Sequence, residues 1–96
     1  MIKDAFQLFL QHDPSIISDK AVISRIAKAQ KAEQILGHSL DYIVSNDDIM
    51  FESLILLQSY ENPAHNPMQN AVRKYYKFLR GKDFPRLNDY HSPKHP

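Results

Sequence analysis

Apolar positions recur along this chain at helical spacing, not strand spacing. Ile2, Ala5, Phe6, Phe9 and Leu10 share one face of a segment at about residues 2–12, closed by Pro14, which disfavours helical geometry at Asp13. Val22, Ile26, Ala29, Ala32 and Leu36 form a second seam over about residues 18–36. Ser18 suits the N-cap there, Asp19 sits at the positive end of the helix dipole, and Gly37 ends the run. The stretch 39–44 is read as a short extra turn of helix. Ser45-Asn46-Asp47-Asp48 then supplies an N-cap and acidic first-turn residues for a helix of about residues 47–60. Ile49, Met50, Phe51, Leu54, Ile55, Leu56 and Leu57 nearly encircle that helix, which predicts the most buried element of the fold. After the loop Glu61–Pro67, a last helix spans about residues 67–80, with Asn66 as N-cap, Pro67 at the first helical position and Gly81 as terminator. Phe84 and Leu87 are expected to fold back onto the core. Residues 89–96 are expected to form a flexible tail.

The pattern predicts an all-α, compact bundle of four main helices in a single helical domain of residues 1–88. A chain of 96 residues suits one modest core and leaves no room for a separate catalytic module. No cysteine is present, which removes disulfides and thiolate metal sites and fits a reducing compartment. No charged n-region precedes an apolar stretch, and no run approaches the ~20 apolar residues of a membrane span, so a soluble, cytoplasmic protein without membrane attachment is expected.

Catalytic chemistry finds no foothold. Asp47 and Asp48 are adjacent, as helix-capping acids usually are, and their placement argues for a helix start over acid–base work. His91 and His95 stand four apart, but the neighbouring prolines oppose the helix that would bring both rings to one metal. The two glycines, Gly37 and Gly81, serve as helix terminators and leave no phosphate loop. The expectation is a protein that is not an enzyme, with no metal, cofactor or small-molecule substrate.

Charge changes the picture when it is divided along the chain. Residues 1–70 carry five Lys/Arg against nine Asp/Glu, whereas residues 71–96 carry seven against two. Arg73, Lys74, Lys77 and Arg80 lie within roughly 120° of one another on the last helix, and Tyr75, Phe78 and Leu79 fall on its apolar side. Tyr76 lies nearer the boundary, where its hydroxyl can meet a phosphate. Lys20, Arg25, Lys28 and Lys31 make a second stripe, within roughly 140°, on the helix over 18–36. If the two stripes lie side by side, Arg25, Lys28, Lys31, Arg73, Lys74, Lys77 and Arg80 form one outward-facing surface for DNA. Arg25 and Arg73 are then the candidates for base contact, with the lysines on phosphates.

The segment Ala71-Val72-Arg73-Lys74-Tyr75-Tyr76-Lys77-Phe78-Leu79, following a long helix and an apolar one, resembles the closing helix of the N-terminal core-binding domain of phage-integrase-type tyrosine recombinases. The resemblance covers about residues 5–81. It implies a SAM-like four-helix module that contacts DNA backbone and grooves through its second and last main helices. The chain stops where such a recombinase continues into its catalytic domain, and Tyr75, Tyr76 and Tyr90 are not given the nucleophile's role. The function expected is that of a non-enzymatic DNA-binding accessory protein of mobile-element or phage type. The alternative is a helical protein–protein interaction module, homodimeric or with another protein partner, in which Met50, Phe51, Leu54 and Leu57 supply an apolar patch.

Overall fold

A computed structural model describes residues 1–91 as an all-α bundle. The helices are α1 (Lys3–Gln11), α2 (Asp19–Leu36), α3 (Leu40–Val44), α4 (Asp47–Gln58) and α5 (Pro67–Arg80), followed by a 3-10 turn at Leu87–Asp89. The four main helices and the extra turn at 39–44 therefore stand where the periodicity placed them. Local chemistry sets most boundaries. Ser18 accepts the N–H of Ala21 at 3.1 Å, and Asn46 accepts those of Asp48 and Ile49 at 2.9 and 3.1 Å. Gly37 and Gly81 close α2 and α5 in the left-handed conformation, with φ of 72° and 73°.

One boundary is built differently from the expectation. Asn66 occupies the N-cap position of α5, but its side chain caps nothing. Glu61 reaches across the loop instead and accepts the N–H groups of Met68 and Gln69 at 2.7 and 3.1 Å. A carboxylate placed there meets two orphan amides and the positive end of the helix dipole together.

Helix α5 is the centre of the bundle and packs against all four other helices. Val22, Ile26, Ala29 and Ala32 bury the seam of α2, which packs against α5, and the small Ala29 and Ala32 permit close approach. Phe6 of α1 meets Tyr75 edge-on at 4.9 Å and Phe78 at 5.6 Å, with Phe9 5.4 Å from Phe78. Leu79, expected on the apolar side, is exposed at the end of α5.

Two expectations about α4 are corrected by packing. Met50, Leu54 and Leu57 of α4 are completely buried and Phe51 is half-buried, so these residues form no exposed patch. Yet α4 is not enclosed all round, because Ile55 and Leu56 stay 44% and 45% exposed on its outer side. The C-terminal segment folds back onto the core. Phe84 is buried edge-on against Tyr76, as expected, and Tyr90, within the expected tail, stacks on Phe51 with ring centroids 5.0 Å apart. The rest of that expected tail, residues 92–96, lies outside the described residues.

Candidate nucleic-acid interface

The cations of α5 do not form the open stripe that helical spacing predicts. Arg73 is half-buried; its Nη1 donates to the carbonyls of Phe84 and Pro85 at 2.9 and 3.1 Å, and its guanidinium lies over the Phe84 ring. Burial pushes its pKa down from the ordinary value, with Asp83 opposing that effect, but a guanidinium keeps its charge at neutral pH. Lys74 turns towards the loop between α1 and α2, where its ammonium donates to Asp13 and to Ser15. Arg80 donates to the Val44 carbonyl at 2.8 Å, lies 3.4 Å from Asp47 and stacks over Tyr76. Lys77 is the most open of the four, with Asp83 at 3.6 Å. Three of the four cations expected to face outwards therefore brace neighbouring segments.

Tyr76 is corrected in the same way. It is 1% exposed and its hydroxyl donates to Asp47 at 2.8 Å, so it offers nothing to a phosphate at the surface. Burial first, then the bond to Asp47, raises its phenol pKa.

The stripe on α2 has a different fate. Arg25 and Lys28 are half-buried, Lys31 is exposed, and no ion pair or side-chain hydrogen bond engages them among the described residues. They stand where α2 passes the start of α5. A cleft of about 240 Å³ has Ser24, Arg25 and Lys28 on one wall and His65, Pro67 and Asn70 on the other. A neighbouring depression of about 290 Å³ has Lys28 and Lys31 opposite Tyr60, Asn62 and His65. The α5 residues on these walls are Pro67, Met68 and Asn70, and Arg73, Lys74, Lys77 and Arg80 line neither depression, so the cations of the two helices do not come together there.

Polar networks that the sequence did not disclose lie elsewhere. The Met1 ammonium is 3.2 Å from Glu33 and 3.1 Å from Asp41. Tyr75 donates to Asp41 and accepts the Ile2 N–H at 2.8 Å, while Glu33 also accepts the Leu40 N–H at 2.8 Å. Burial alone raises the Asp41 pKa, but the Tyr75 hydroxyl and the Met1 ammonium outweigh it and hold the carboxyl below its ordinary value. Burial, reinforced by Asp41, pushes Tyr75 well above the usual phenol range. Acids separated by eight residues, Glu33 and Asp41, carry no signal in sequence because α3 must first fold back to unite them. Among the described residues no buried side-chain polar atom lacks a partner, no three His, Asp or Glu side chains gather as metal ligands, and no helix is long and apolar enough to cross a membrane.

Comparison of the chain with protein-family models, with curated proteins and with solved structures found no match.

Proposed function

We propose that the protein is a non-enzymatic DNA-binding accessory protein whose contact surface centres on α2. The mobile-element or phage setting of this reading comes from the resemblance of Ala71–Leu79 to the recombinase core-binding domain. One observation carries the binding itself: Arg25, Lys28 and Lys31 cluster along the groove beside α5 with no carboxylate in ion-pair reach among the described residues. Elsewhere in the chain Lys74 and Arg80 lie against acids. Clustered like charges repel each other, and a polyanion relieves that repulsion while releasing its own counterions. Lys77 lies 3.6 Å from Asp83, and Arg73, Lys74 and Arg80 chiefly hold the fold.

An anisotropy titration with labelled DNA at low salt tests this reading. Binding is expected, with a log–log salt slope of about −2 to −3 if three phosphates are neutralised. Absence of binding to both duplex and single-stranded DNA overturns it. The protein-interaction alternative is favoured by the outer side of α4, where Ile55 and Leu56 stand open. Concentration-dependent association that persists at high salt, seen by light scattering, is its mark.

A further inference from the structure

The depression beside Arg25 and the one beside Lys31 are not separate sites. Lys28, His65 and Pro67 border both, so the two join into one groove running along α2 from Arg25 past Lys28 to Lys31. Its far wall is stiff. Asn62 Oδ1 accepts the Ala64 N–H at 2.7 Å, the Asn62 carbonyl accepts the His65 N–H at 3.0 Å, and Pro63 fixes the backbone between them.

The shape of this groove selects among nucleic acids. A helix that enters the major groove of a duplex must protrude, because the groove is about 12 Å wide and admits little more than the helix itself. Arg25 and Lys28 do the reverse: they are half-buried, with the loop leading into α5 standing beside them. A single strand is narrow enough to enter and flexible enough to follow the groove. The rings on the far wall suit its bases. Tyr60 is 60% exposed and borders the groove beside Lys28 and Lys31, and His65 is exposed at its middle. A row of cations beside exposed rings is the arrangement by which proteins hold unpaired strands without reading sequence. Glu61 also borders the groove, but its carboxylate oxygens are bonded to the N–H groups of Met68 and Gln69 at the start of α5.

We propose that this groove binds single-stranded nucleic acid, with backbone phosphates on Arg25, Lys28 and Lys31 and a base stacked on Tyr60. The proposal rests on the nucleic-acid reading above and narrows it. Phosphate charge and the faces of bases are common to DNA and RNA, so the shared chemistry is that of the unpaired strand.

Anisotropy titrations of the full chain with short oligothymidylate, oligouridylate and a duplex of equal length, all at low salt, test it. An unpaired strand should bind about tenfold or more tightly than the duplex, and Tyr60→Ala should weaken it by about tenfold while leaving the residual duplex affinity unchanged. Tyr60→Phe should restore binding, since the stack needs the ring and not the hydroxyl; Lys28→Glu should weaken every ligand. If thymidylate and uridylate bind unequally, oligodeoxyuridylate separates the sugar from the thymine methyl, and tight binding of either unpaired strand supports the proposal. Equal or tighter duplex binding, or an unchanged affinity in Tyr60→Ala, overturns the single-strand assignment and leaves the nucleic-acid reading standing. No binding to any of the three overturns both.

Discussion

Lys74 on α5 donates its ammonium to the carboxylate of Asp13, a residue 61 positions away in the loop between α1 and α2. The Lys74 bond, aided by Ser15 and opposed by burial, holds the Asp13 carboxyl far below the usual carboxylate range. A group whose pKa is depressed in the folded state contributes stability above its unfolded value, about 4, and loses that contribution as pH falls through the folded one. Stability should therefore drop progressively below about pH 4. Lys74→Ala should cost about 2 kcal/mol at neutral pH and flatten that acid limb, as measured by urea unfolding across the acid range. A steep acid limb retained in the variant would remove the pair as its cause.

Tyr76 and Arg80 both converge on Asp47, at 2.8 and 3.4 Å, and so fasten α5 to the first residue of α4. Tyr76→Phe keeps the buried ring and deletes only the hydroxyl. The expected loss is about 1 kcal/mol, or about 4–8 °C in thermal midpoint for a domain of this size. Calorimetry showing no shift would mean that the hydroxyl contributes nothing net.

The start of α5 should depend on Glu61 and not on Asn66. Glu61→Ala removes the acceptor for two helix amides and should cost about 1–2 kcal/mol. Asn66→Ala removes no side-chain cap bond and should stay within about 0.5 kcal/mol of the parent. Chemical denaturation of the two variants side by side checks the contrast.

Charge reversal should separate folding from binding. Arg73→Glu places a carboxylate against the Phe84 and Pro85 carbonyls and should destabilise by about 2–3 kcal/mol. Arg25→Glu with Lys28→Glu disturbs no ion pair among the described residues and should leave the thermal midpoint nearly unchanged while abolishing DNA binding. Equal loss of binding from an Arg73 variant that is as stable as the parent would return α5 to the centre of the interface.

The helices and their ends were legible in the chain because they are fixed by neighbours in sequence. Ser18 and Asn46 cap amides two or three residues ahead, the two glycines supply positive φ at their own positions, and the seam of α2 follows from spacing alone. The seven candidate cations were legible as two stripes for the same reason. Their roles were not. Spacing says which residues share a helix face, but not what stands opposite that face. Only the tertiary structure set Asp13, Asp47 and the Phe84 and Pro85 carbonyls before Lys74, Arg80 and Arg73, and left Arg25, Lys28 and Lys31 beside an open groove. The same limit explains Ile55 and Leu56. Hydrophobicity marked them for burial, but a helix at the edge of a bundle of this size has neighbours on one side only.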